Sequence, residues 1–225
     1  MPNLSSTTLF HFTSSLDVLQ KILLGGIKYG MFAEKLPKGN LAYFVRGISF
    51  CNIPLSMISE HVEWYGKYAL GIKRPALRAL GVSPVFYVHS DSRKYPAGKD
   101  AVKELMANPF LCYLKQHLGY QFHRTKKQYL RKSFYDEKEW RIFTGMPTIE
   151  SYSSLIHLDN LRHQKALMTP TEDPLKISLD MIEYIILESH SDFKSFDMFL
   201  KTHFSAERDL LLPKILYYSQ IRKDF

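Results

Sequence analysis

The chain has 225 residues, long enough to bury a sizeable core as one large domain or two small ones. Its apolar content of 45% is ordinary for a globular protein, aromatics are plentiful (15 Phe and 14 Tyr), and the net charge is +8. That excess of cations points to a polyanionic partner: nucleic acid, nucleotides or an acidic protein. No apolar run approaches a membrane span, and Met1–Thr8 lacks both the basic and the apolar regions of a secretory signal. The two cysteines, Cys51 and Cys112, sit in apolar surroundings without metal-ligand spacing. Reduced thiols in a cytoplasmic protein, with no metal, is the resulting expectation.

Leu9-Phe10-His11-Phe12-Thr13 reads as a short strand with one polar side chain, His11, near its end. Ser14 or Ser15 then caps a helix through Leu16, Leu19, Ile22 and Leu23, which Gly25-Gly26 ends. Residues 30 to 46 mix Gly, Pro, Lys and aromatics and predict a long loop, a natural lid or binding segment. A strand over 47–53 leads into a helix started by Pro54, carrying Leu55, Ile58, His61, Val62 and Tyr65 and stopping at Gly66. Strands over 68–74 and 84–89 flank a short helix begun by Pro75. Apolar spacing predicts a helix across 99–119, interrupted at Asn108-Pro109, and 146–173 reads as irregular. A buried strand at 181–187, a helix at 195–204 and a last strand near 214–218 complete the chain. With no internal repeat and no low-complexity linker, the economical reading is a single mixed α+β domain over 1–225.

Two stretches carry candidate chemistry. The first is basic, running from His123 to Lys132, with Arg124, Lys126, Lys127, Arg131 and Lys132 around Tyr129. Cations interleaved with an aromatic fit nucleic-acid contact, and they equally fit a solvated helix face. The second is Tyr135-Asp-Glu-Lys-Glu-Trp-Arg-Ile-Phe143, whose period-two alternation reads as a strand. On a strand Glu137, Glu139 and Arg141 share a face. Two adjacent carboxylates raise at least one pKa unless a cation intervenes, and Arg141 is placed to be that cation. No dinucleotide fingerprint, P-loop, nucleophile elbow or His-Glu-x-x-His motif occurs.

Several segments together are similar to a known family. His11-Phe12-Thr13, Ser49-Phe-Cys-Asn-Ile-Pro-Leu55 followed by His61 and Tyr65-Gly66, Ser83-Pro-Val-Phe-Tyr87, Glu137-Lys-Glu-Trp-Arg141 and Asp224-Phe225 resemble AbiGi, a family of bacterial abortive phage-resistance proteins labelled antitoxins. Asn52 departs from the pattern, in which an Asp is expected. That resemblance implies a phage-defence role in a toxin–antitoxin pair. The order of elements also resembles the ADP-ribosyltransferase fold, with its split β core and flanking helices.

The second resemblance implies a specific chemistry with NAD as substrate. His11 and Thr13 would hold the NAD ribose, Glu139 would be the catalytic carboxylate, and Glu137 would orient the acceptor. Tyr43, Phe44 and Tyr65 would stack the nicotinamide, Arg141 would join the cofactor-binding side, and the basic segment would attract a nucleic-acid acceptor. Such a carboxylate stabilises the oxocarbenium-like centre formed as the nicotinamide–ribose bond breaks. The alternative is a non-catalytic antitoxin or sensor that acts by binding protein or nucleic acid. In that case Glu139 is expected to pair internally with a cation such as Arg141.

Overall fold

The structure, a computed structural model, describes residues 7–36, 40–89, 108–168 and 172–224. It is a mixed α+β chain whose main sheet contains both parallel and antiparallel pairs. Two compact units interleave along the sequence. The first takes residues 1–27, 50–82 and 174–225, and the second takes 28–49 and 83–173.

In the first unit, β1 (Thr8–Thr13) lies antiparallel to β4 (Tyr68–Lys73), which pairs with β11 (Ile182–Leu187). A short parallel strand, β12 (Ile215–Tyr217), closes that side. Helix α1 (Leu16–Gly25) starts as expected, with the Ser15 side chain accepting from the Val18 N–H at 3.3 Å, and buries Leu19, Ile22 and Leu23. Pro54 opens a 3₁₀ turn before α2 (Ile58–Tyr65), which lays Ile58 and Val62 on a core of Phe10, Cys51, Ile53, Ala69 and Ile186. α3 (Arg74–Ala79) follows β4.

Gly66 ends α2 with φ 119°, and a Cβ there would stand 2.2 Å from the Thr13 carbonyl oxygen. Only glycine allows the backbone to come this close with that torsion.

In the second unit the described residues of the expected 30–46 loop form two paired strands, and residues 37–39 of that expectation lie outside the described residues. β2 (Gly30–Lys35) pairs with β3 (Leu41–Cys51), whose last two residues belong to the first unit. β2 is covered on both faces: Phe32 joins a core with Leu36, Tyr43, Val45 and Cys112, while Met31 and Ala33 on the other face pack with Ala42, Phe44 and Leu158. β3 neighbours β10 (Glu139–Ser151), which pairs with the two-residue β5 (Ser83–Pro84). Gly47 marks the close approach of β3 and β10, since a Cβ there would meet Phe32, Phe143 and the Ile142 carbonyl within 2.8 Å.

The helix expected over 99–119 is corrected where it can be seen. Pro109–Tyr113 form a 3₁₀ turn, Leu114 opens β7 (Leu114–Gln116), and Leu118 opens β8 (Leu118–His123). Residues 99–107 of that expectation lie outside the described residues. β7 runs parallel to β6 (Phe86–Val88), and β8 forms an antiparallel ribbon with β9 (Gln128–Ser133). The stretch expected to be irregular holds the end of β10 and helix α4 (Leu155–Met168), begun by Ser154, whose hydroxyl accepts from the His157 N–H at 3.1 Å. Leu158 buries α4 against Ala42 and Phe44, and the Arg46 guanidinium donates to the Ala166 carbonyl at 2.7 Å near its C-terminus.

Further on, α5 (Phe193–His203) and α6 (Arg208–Leu211) precede β12, the expected last strand, and the short ending after it is helical, α7 (Tyr218–Asp224). No described helix is long and apolar enough to cross a membrane.

The Gly66 contact generates a prediction. Gly66→Ala should destabilise the protein by about 3 kcal/mol or more, because neither the Thr13 carbonyl nor the positive φ can yield cheaply. A thermal melt of the variant within a degree or two of the parent would contradict this packing.

Candidate functional site

The strongest concentration of charge lies inside the second unit. Three carboxylates, Glu34, Glu137 and Glu139, meet three cations, Lys115, Lys132 and Arg141. Lys115 Nζ stands 2.7 Å from Glu137 Oε2 and 2.7 Å from Glu139 Oε2, so one ammonium bridges both acids. Lys132 Nζ holds the other Glu137 oxygen at 2.6 Å. Arg141 grips Glu139 through Nε (2.6 Å to Oε1) and Nη2 (2.8 Å to Oε2), and Nη2 also reaches Glu34 Oε1. Arg141 is 1% exposed and Glu139 6%. Arg141 Nη1 is buried with no hydrogen-bond partner among the described residues.

Local backbone explains the convergence. Glu137 closes a 3₁₀ turn, Tyr135–Glu137, and does not lie on the strand, which corrects the expectation of one continuous strand through both acids. Lys138 then takes a left-handed conformation, φ 42°, and β10 begins at Glu139. Such a conformation costs a non-glycine residue ~1–2 kcal/mol. It turns the chain between the two acids, so both carboxylates reach the same lysine. The Glu139 backbone is pinned on both sides: its N–H donates to the Tyr87 hydroxyl at 2.8 Å, and its carbonyl accepts from Val85 at 3.0 Å. Lys115 comes from β7 with its ammonium 4.5 Å from the Phe134 ring centre, and the Arg141 guanidinium lies 4.8 Å from that of Phe32.

The electrostatics follow from these contacts. Burial alone pushes the Glu137 carboxyl up, but Lys115 and then Lys132 outweigh it and hold it well below the usual carboxylate range. Glu139 is lowered as well, with Arg141 and Lys115 overcoming the effect of burial. Lys115 is raised despite its burial, by Glu137, Glu139 and Glu34. Lys132 moves the other way: burial draws it down although Glu137 opposes this. Glu137 stays charged in that contact because Lys115 is its second cation. The paired acids would raise a pKa only without an intervening cation; one does intervene, but it is chiefly Lys115, with Arg141 on Glu139 alone.

The remaining candidate residues fall in different places. Tyr43 is 1% exposed, with its hydroxyl 2.7 Å from the Cys112 carbonyl and 3.0 Å from that of Leu114. Phe44 is buried under α4, with Lys165 Nζ 5.2 Å from its ring centre. Both are core rings with no open face for a nicotinamide. His11 and Thr13 belong to the first unit, Glu137, Glu139 and Arg141 to the second. His11 and Thr13 share one face of β1, and the His11 ring lies 5.7 Å from that of Phe50. Tyr65 does not join them. Phe12 points to the opposite face, and ring contacts run from Phe12 to His61 (4.9 Å) and on to Tyr65 (4.5 Å).

Of the basic segment, Arg124, Lys126, Lys127 and Arg131 are exposed on a β-ribbon, which corrects the helix-face alternative. Lys132 faces inward to Glu137 and is withdrawn from any surface contact. Glu34 and Lys115 were missed in the sequence. The available signal was a single charge within apolar company, Phe110-Leu-Cys-Tyr-Leu-Lys115 and Met31-Phe-Ala-Glu34.

The family model "Putative abortive phage resistance protein AbiGi, antitoxin" matches residues 45–188, more than half of the chain. The chain belongs to the AbiGi family. It is also similar to the abortive phage resistance protein AbiGi of Lactococcus lactis subsp. cremoris, 25% identical over 223 residues, covering 81% of this chain and 90% of that relative. No solved structure matches. The matched AbiGi region includes Lys115, Lys132, Glu137, Glu139 and Arg141, and leaves Glu34 outside.

The cluster sets a stability test. Lys115→Met should lower the unfolding free energy by about 3–5 kcal/mol, because two buried carboxylates lose their shared cation. Glu34→Gln, which leaves Arg141 its two bonds to Glu139, should cost less, about 1.5–3 kcal/mol. Glu137 and Glu139 titrate lower folded than unfolded, where a glutamate sits at about 4.3. Their contribution is therefore full above about pH 5 and is lost as the pH falls below that value. Urea midpoints from pH 3 to 8 should show this acid limb, flattened in Glu137→Gln. A Lys115→Met midpoint equal to the parent's would remove the cluster's structural role.

Proposed function

We propose that this AbiGi-family chain is the antitoxin side of an abortive-infection pair and acts by binding a macromolecule rather than by transferring ADP-ribose. The observation that carries this reading is the state of Glu139. Both of its oxygens are taken, by Lys115 and by two nitrogens of Arg141, and the side chain is almost fully buried. A carboxylate that serves glycosidic-bond cleavage must face the ribose and the positive charge that grows there. Here the facing charge is already supplied by the protein. The buried pairing was the mark expected of the non-catalytic alternative, and the antitoxin wording of the family description supports the same side.

Binding and chemistry separate in one set of experiments. In its native host, deletion of the chain alone should arrest growth without phage, whereas expression of the chain alone in a naive host should leave growth unchanged. Incubated with labelled NAD and total cellular protein or nucleic acid, the chain and Glu139→Gln should both release no nicotinamide and transfer no label. Growth arrest by the chain alone, or NAD-dependent labelling that Glu139→Gln abolishes, would overturn the proposal and restore the transferase reading with His11 and Thr13 as its ribose contacts.

A further inference from the structure

The β8–β9 ribbon has an outer face with no role in the buried cluster. Its register pairs Tyr120 with Arg131 and Phe122 with Tyr129, and residues two apart share a face, so these four side chains stand together. The intervening residues turn the other way: His123 is buried, and Lys132 reaches Glu137 and Gln121. Tyr120 is 54% and Phe122 43% exposed, an unusual outlay of aromatic surface on a polar ribbon.

The platform is held in place. The Phe122 and Tyr129 rings meet edge to face at 5.4 Å, and the Tyr129 hydroxyl is tied to Asp159 and, at 3.2 Å, to the Leu155 carbonyl at the start of α4. Burial and the Asp159 hydrogen bond push that hydroxyl up to about 12, so it stays protonated and tethered. Beyond the rings, the connecting turn carries Arg124, Lys126 and Lys127, all exposed.

We propose that this face binds single-stranded nucleic acid, with one base on Tyr120, the next on Phe122, and the phosphates following Arg131 and the basic turn. Charge complementarity and ring geometry together select this occupant. Residues two apart on a strand are ~7 Å apart, about twice the 3.4 Å step of stacked bases. Bases at that spacing are separated from one another, each free to lie on its own ring, which a duplex does not offer. A bilayer fits less well, because the tip that would enter it is cationic while the rings lie along the body of the ribbon. The inference stands on the ribbon and is independent of whether Glu139 has chemistry.

Fluorescence anisotropy with a labelled 12-nucleotide mixed-sequence RNA, the same sequence as single-stranded DNA, its duplex, and vesicles of 30% anionic lipid tests it across a salt series. Single strands should bind, and the RNA and DNA arms show which sugar is preferred. Tyr120→Ala and Phe122→Ala should each weaken binding about 10-fold with the salt slope unchanged, whereas Tyr120→Trp should retain it. Replacing Arg124, Lys126 and Lys127 by Ala should flatten the salt slope by about two to three. Circular dichroism that matches the parent confirms that each variant is folded. Duplex binding as tight as single-strand binding, vesicle binding alone, or indifference to Tyr120→Ala in a folded variant would overturn the inference.

Discussion

One ammonium decides the interior of the second unit. Lys115 stands between two glutamates that would otherwise repel at close range in a poorly polarisable setting, and it does so from a strand remote from them in sequence. Coulomb attraction within a few ångströms has to exceed the penalty for removing every member from water, and it does so here because each acid has two cations. Three negative and three positive side chains cancel inside the cluster. The chain's excess of +8 therefore lies elsewhere, much of it on surface such as the β8–β9 turn.

That arrangement ties several apparently separate features to one cause. The left-handed Lys138, the Tyr87 hydroxyl under the Glu139 amide and the aromatic rings beside Lys115 and Arg141 all hold charged groups where they can meet. Such a cluster fixes the register of β10: shifting that strand by one residue would send Glu139 and Arg141 to the other face and leave Lys115 buried with less compensation.

How much of this could be read from the residues depends on the range of the interaction. Ser15 as helix cap, the Gly66 stop, the 182–187 strand and the Glu139–Arg141 alternation depend on neighbours a few positions away, and they are visible in the sequence. The strands within 30–46 were obscured because β2 carries Gly30, Glu34 and Lys35, which resemble loop composition although Glu34 turns inward to Arg141. Leu114 and Leu118 fit a helical spacing by coincidence and belong to different strands, separated by His117. The pairing partners of Glu137 were legible only in part. Lys132 is local to it, and Arg141 to Glu139, but Lys115 on the acids and Glu34 on Arg141 are brought in by tertiary folding, which no periodicity encodes. The burial of Tyr43 and Phe44 likewise depends on what packs over β2 and β3.

The interleaving of the two units also orders their birth on the ribosome. Every residue of the second unit has been polymerised by position 173, whereas the first unit still awaits β11 and β12 from 174–225. The unit whose opening strand is made first is thus the last to be completed, and β1 and β4 must persist through the synthesis of some hundred further residues with one sheet edge unfilled. A nascent chain stalled near position 173 would expose that edge to whatever strand came within reach.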